Sequence, residues 1–222
     1  MAWPYQLANP VTPPRQRGRS YPLTSHAQAT LNSAHLAYQW GLTPIPLAGK
    51  VPTTMDWPHT PYQSSLAEFE HFLHSRPPAA QDKINVGILT GAAPGAPNPV
   101  VVIDLDPKPG GLIRWEQLLA EAHAHGLTLP PTLTVRTGSG GLHIYFRYEP
   151  KIADIPKIPG PETGVEYQAN LGQVVFPFSI HPRTGQQYLF ETGFYQDTQG
   201  HWHPILASMP DWLADYLRSL RK

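Results

Sequence analysis

Val100–Val101–Val102–Ile103–Asp104–Leu105–Asp106 is the stretch on which the reading of this chain turns. Four consecutive β-branched residues predict a strand buried on both faces. Side chains alternate along a strand, so Asp104 and Asp106 project from one face with their backbones roughly 6–7 Å apart. Two carboxylates that close repel unless a cation lies between them. Pro107 and then Gly110 and Gly111 stop the strand and expose its acidic end. The competing explanation is a strand that runs into an Asp-rich turn, a common arrangement. The stretch by itself leaves both readings open.

Upstream, Asn85–Val86–Gly87–Ile88–Leu89–Thr90–Gly91 reads as a short strand with a glycine turn, followed by a Pro/Gly loop over 92–99. Thr24–Ser25 can cap a helix from His26 to Trp40, with Leu31, Ala34 and Tyr38 at helical spacing and Gly41 as its stop. Pro44 and Pro46 mark Leu42–Leu47 as an edge-like extended segment. Gly49–Lys50–Val51–Pro52 forms a turn, and a second helix runs over 64–75 with Leu66, Phe69 and Leu73 on one face. Residues 1–23 are Pro-rich and aperiodic and carry Arg15, Arg17 and Arg19. They read as a flexible arm whose arginines either touch nucleic acid or are simply solvated.

Downstream, Leu112–His125 is a helix stopped by Gly126. Thr132–Arg136 and Leu142–Tyr148 alternate as strands joined by Thr137–Gly138–Ser139–Gly140–Gly141. A Pro-rich connector over 150–163 leads to three further strands, 164–170, 173–177 and 186–190, the last two joined by a polar loop over 178–185. Pro210 starts a final helix with Leu213, Tyr216, Leu217 and Leu220 on its apolar face. The mixture predicts an α+β fold, with a catalytic domain over 24–209, an N-terminal α/β subregion within it, and a C-terminal helix over 210–222.

Composition narrows the classes. Lys plus Arg equals Asp plus Glu at 16 each in 222 residues, so nucleic-acid binding would rest on a local patch rather than a global basic field. Absence of cysteine excludes disulfides, Cys-ligated zinc and thiol nucleophiles. No apolar run approaches membrane-spanning length and no apolar signal core opens the chain, so the expectation is a cytoplasmic protein with no membrane partner.

Three more polar groupings stand beside the aspartates. In Ser139–Gly140–Gly141–Leu142–His143 the glycines allow close backbone approach to a phosphate, and a hydroxyl and an imidazole flank them; a structural turn with an incidental His fits equally. Alternation puts His143, Tyr145 and Arg147 on one face and Leu142, Ile144 and Phe146 on the other, which is the expected core face. Glu166 lies among apolar neighbours and needs a basic or metal partner. Ser179, His181 and Arg183 share one loop and could grip a triphosphate, or form a solvated loop.

In chain order, Asn85–Gly91, Val101–Asp106 and Thr137–Phe146 resemble the prim-pol domain, the bifunctional primase/polymerase module of the archaeo-eukaryotic primase superfamily. Trp40–Leu47 with Lys50–Val51–Pro52, and Phe176–Gly185 with Tyr188, fit the same pattern, so the resemblance covers roughly residues 28–191. It implies an RRM-like antiparallel or mixed sheet bearing the carboxylates. Asp104 and Asp106 match the metal-binding pair, and Ser139 and His143, with Gly140 and Gly141, match the motif that contacts the nucleotide triphosphate. Glu166 falls where the family has an aspartate, a departure whose extra methylene moves the carboxylate. Thr90, His181 and Arg183 are implied as nucleotide-binding candidates and Lys50 as a template or nucleotide contact, while Arg136, by its charge alone, is a further template or nucleotide candidate.

The implied activity is a DNA primase/polymerase, transferring nucleotides from NTP or dNTP to a 3′-hydroxyl on a single-stranded DNA template with its primer. It would use a two-metal site of Mg²⁺ or Mn²⁺, with no zinc expected, in replication of a plasmid, phage or mobile element. A helicase domain or protein is an implied partner. The rivals are a nucleic-acid-binding module of the same fold that has lost catalysis, and a metal-dependent nuclease built on the same carboxylates.

Overall fold

The computed structural model describes residues 20–108, 110–160 and 163–220. Helix α1 (Ser25–Gln39) leads into β1 (Pro44–Ala48) and the two-residue β2 (Val51–Pro52). Helices α2 (Tyr62–His74) and α3 (Pro78–Gln81) precede β3 (Ile84–Thr90), β4 (Val100–Leu105) and α4 (Gly111–Ala124). Then come β5 (Thr134–Arg136), β6 (Leu142–Arg147), β7 (Val165–Gln168), β8 (Gly172–Val175) and β9 (Leu189–Thr192). The chain closes with β10 (Phe194–Gln196), β11 (Trp202–Pro204), β12 (Ala207–Ser208) and α5 (Asp211–Ser219).

The strands form a small antiparallel sheet, β2-β1-β3-β8, and a larger sheet, β7-β4-β6-β5-β9, to which β12 adds in parallel beside β6. A separate hairpin pairs β10 with β11. The fold is therefore α+β, with mixed strand pairing in its larger sheet. Helix α1 starts one residue before its expected position because the Thr24 hydroxyl accepts the Ala27 N–H at 3.0 Å. No helix among the described residues is long and apolar enough to cross a membrane.

Two apolar clusters sandwich the larger sheet. Val100, Val102, Val135 and Tyr145 join α1, α2 and the small sheet in one; Val101, Ile103, Leu105, Ile144 and Phe146 join α4 and α5 in the other. On the face of β6 expected to point away from the core, His143 and Tyr145 are therefore buried as well, and only Arg147 at the strand end stays exposed.

Strand β1 differs from its edge-like reading, for it pairs on both sides. Register explains how two prolines are tolerated there. Ile45 pairs with Gly87 and Leu47 with Asn85, and the Leu89 N–H reaches the Thr43 carbonyl, so these residues serve β3. Pro44 and Pro46 turn their donor-less nitrogens to the other side, where the Pro46 carbonyl accepts from the Thr53 N–H.

Of the N-terminal stretch read as an arm, residues 1–19, with Arg15, Arg17 and Arg19, lie outside the described residues. Residues 20–23 are tied down: Tyr21 exchanges hydrogen bonds with His74, and the fully buried Gln81 donates to the Pro22 carbonyl at 3.1 Å. At the other end, α5 is fastened to the connector by Lys151–Asp211 at 2.8 Å and by Arg218, whose guanidinium donates to both Asp154 oxygens at 3.0 Å.

Candidate active site

Alternate side chains of β4 enter the two cores in turn, and the row Val100, Val102, Asp104 leaves the core as the strand nears its end. Asp104 keeps 29% of its side chain exposed, while Asp106, one step past the strand, is exposed. Strand β4 lies between β6 and β7, and its register sets Asp104 opposite His143 on one side and opposite Glu166 on the other. Directly opposed residues share a face. Pairing alone thus gathers two carboxylates and an imidazole.

Three glycines hold this strand end. A Cβ on Gly141 would lie 2.0 Å from the Leu105 carbonyl oxygen, and one on Gly111 would lie 2.0 Å from that of Gly164. The resulting backbone contacts fix Asp106, whose N–H donates to the Gly164 carbonyl at 2.8 Å and whose carbonyl accepts from Gly111 at 3.0 Å. Its carboxylate accepts the Lys108 N–H at 3.1 Å.

Asp104, Asp106, Glu166 and His143 line one cavity of about 330 Å³. Thr137 and Ser139, their hydroxyls 3.0 Å apart, form its wall on the β5–β6 turn. Lys50 and Val175 close it from the small sheet and Trp57 from the turn after β2, and Lys157, Gln168 and Tyr188 also line it. His143 is buried, with Nε2 3.5 Å from Asp104 Oδ1 and Nδ1 unpartnered in the described structure. The Glu166 carboxylate accepts from Gln168 Nε2 at 2.9 Å and from the Gly160 backbone.

The charges in the cavity are unequally placed. Burial pushes the Asp104 carboxyl up, but His143, Lys50 and Lys157 outweigh it and hold the group below the ordinary carboxylate range. Glu166 lies above its ordinary value: burial and the Asp104 charge push it up, and Lys157 and the Gly160 N–H only partly offset them. Burial, and then the aspartates, also raise the Tyr188 phenol. A negative charge the protein does not fully balance is what a divalent cation would relieve, and carboxylate oxygens are its preferred donors.

Among the described residues no three acidic or imidazole side chains already converge as a closed ion-binding group. An open carboxylate row still fits Mg²⁺ or Mn²⁺, which commonly take one or two protein carboxylates and complete their shells with substrate phosphates and water.

The remaining sequence candidates disperse. Gly140, in a left-handed turn, and the buried Gly141 shape the β5–β6 loop. Thr90 is buried and donates to the Ala169 carbonyl at 2.6 Å, away from the cavity lining. His181 is buried with Nε2 unpartnered, while its Nδ1 accepts the Arg183 and Thr184 N–H groups at 3.4 and 3.2 Å. Burial, then Lys50 and Arg183, hold its pKa below the usual imidazole value. Arg183 is exposed, and Arg136 pairs with Glu191 at 3.1 Å, joining β5 to its neighbour β9.

Sequence reasoning gave no role to Lys157 or Gln168. Period-two alternation from Glu166 would have found Gln168; nothing in the Pro-rich connector marks Lys157.

A search among curated proteins returned no match. The sequence model of the bifunctional DNA primase/polymerase N-terminal (Prim-Pol) family matches residues 32–212, a span that contains β4, the β5–β6 turn, β7 and every residue of the cavity. With most of its length matched, the chain belongs to the Prim-Pol family of bifunctional DNA primase/polymerase N-terminal domains.

Proposed function

We propose that the chain is a metal-dependent nucleotidyltransferase, extending or making primers on single-stranded DNA from NTP or dNTP, with Asp104, Asp106 and Glu166 as ligands for Mg²⁺ or Mn²⁺. The observation that carries this is the register of β4, which sets Asp104 between His143 and Glu166 in a polar cavity. Divalent ions, when bound there, supply charge stabilisation at the attacking and leaving oxygens.

The protein's share of such chemistry is positioning and charge. His143, braced beside Asp104, and the Ser139 hydroxyl hold the triphosphate from the β6 side. Lys50 faces the same cavity from the small sheet and neutralises phosphate charge. The template runs outside this pocket and is gripped through its backbone, so binding weakens with salt and ignores sequence. Replication of a plasmid, phage or mobile element, together with a helicase, is the setting that suits such an activity.

The test is extension of a labelled primer on a single-stranded template with Mn²⁺ or Mg²⁺ and nucleotides. Extension is expected; binding without extension makes the protein a non-catalytic module, and shortening of DNA without nucleotides makes it a nuclease. His143→Ala raises the apparent KM for nucleotide by roughly tenfold or more, the size of a lost hydrogen bond to a charged group. An unchanged KM would remove His143 from the triphosphate site.

A further inference from the structure

Lys157 stands in the connector, and a single backbone bridge gives it a defined place. Ile158 and Tyr167 exchange N–H···O bonds, both at 3.0 Å, so the connector runs antiparallel along the outer edge of β7. That register sets Lys157 opposite Gln168, on the face that also carries Glu166. Buried Ile155, in the core beneath α4 and α5, and the partly buried Ile158 packed against that core support the segment from below.

Read across the sheet, the order is Lys157, then the Glu166–Gln168 row of β7, then Asp104 on β4, then His143 on β6. Lys157 and His143 therefore flank the carboxylates from opposite sides. Lys157, an exposed residue, lines the cavity, and among the described residues its ammonium forms no ion pair with a carboxylate. Its charge is nonetheless felt at both Asp104 and Glu166. An ammonium beside an acidic row, with no ion-pair partner among the described residues, is placed for an anion.

Which anion follows from the geometry of transfer. In an in-line displacement the attacking and leaving oxygens lie on opposite sides of the reacting phosphorus. With the triphosphate on the His143 side, as in the function proposed above and on which this inference rests, the primer terminus arrives from the β7 side. We propose that Lys157 is a primer-strand ligand, its ammonium binding a phosphodiester of the primer near the 3′ end and so positioning the attacking hydroxyl beside Glu166.

The experiment compares wild type with Lys157→Ala and Lys157→Arg. Binding of a fluorescent primed template is followed by anisotropy without nucleotide across a salt series, and steady-state extension is measured with primer and nucleotide varied separately. Lys157→Ala weakens primed-template binding by roughly three- to tenfold at low salt and lowers the slope of log affinity against log salt by about one. The KM for nucleotide stays at the wild-type value, and Lys157→Arg restores primer binding. A raised nucleotide KM with primer affinity intact would assign Lys157 to the triphosphate and overturn the inference, as would no change in either quantity. Failure of the wild-type protein to extend any primer would instead refute the proposed activity, so the two failures are told apart.

Discussion

Asp104→Asn lowers primer extension by at least about a thousandfold, comparable to or beyond the loss of a single electrostatic contributor in a preorganised site. Asparagine keeps the shape and nearly the volume of aspartate, so β4 and its register with β6 and β7 are retained. What goes is the charge at the centre of the row, the one group opposed by both His143 and Glu166. Stability moves little, because two effects oppose each other. The variant loses the attraction of Asp104 for His143 and the two lysines, but it also removes the charge that pushes Glu166 up. Near-wild-type melting with extension abolished is the expected pair of results; extension within tenfold of wild type would refute the metal-ligand role of Asp104.

Gly141→Ala is expected to cost both fold and activity. Its Cβ would lie 2.0 Å from the Leu105 carbonyl oxygen and 3.0 Å from Pro107 Cδ, and the nearer atom is backbone that no rotamer change can clear. Either β4 or the β5–β6 turn must shift, at about 3 kcal/mol by analogy with overpacked cores. For a chain of this size that lowers Tm by about 6–12 °C. The displaced carbonyl belongs to the residue between the two aspartates, so extension by the folded fraction falls too. Gly140→Ala is the control: it meets open space but a left-handed backbone with φ of 89°, costing about 1–2 kcal/mol without moving β4. Equal loss of Tm in the two variants would show that conformational strain, rather than the contact with Leu105, governs the turn.

How much was legible in the sequence differs from element to element. The run Val100–Ile103 could hardly be anything but a strand with both faces covered, and period-two alternation placed Asp104 and Asp106 on one side of it. Helix α1 was bounded within a residue by its cap and by Gly41. Strand β1 was harder, since edge or interior depends on partners contributed by distant residues. The short β10, β11 and β12 escaped because two or three residues cannot display an alternation. The environment of His143 was misjudged for a related reason: one strand's pattern does not reveal that a second sheet and two helices cover its other face. Lys157 was invisible because its neighbour across the sheet is set by one bridge inside a Pro-rich stretch. Local pattern thus identified the acids, whereas the cations and the cavity around them are products of tertiary assembly.

The fastening of α5 to the connector has a mechanical consequence. Lys151 and Asp154, which receive Asp211 and Arg218, lie only a few residues before Lys157. The helix is therefore a strut with two footings: Asp211 and Arg218 hold the segment bordering β7, and β12, directly before the helix, pairs with β6, the strand bearing His143. One element thus braces both banks of the cavity, so that Lys157 and His143 keep their spacing across the carboxylates.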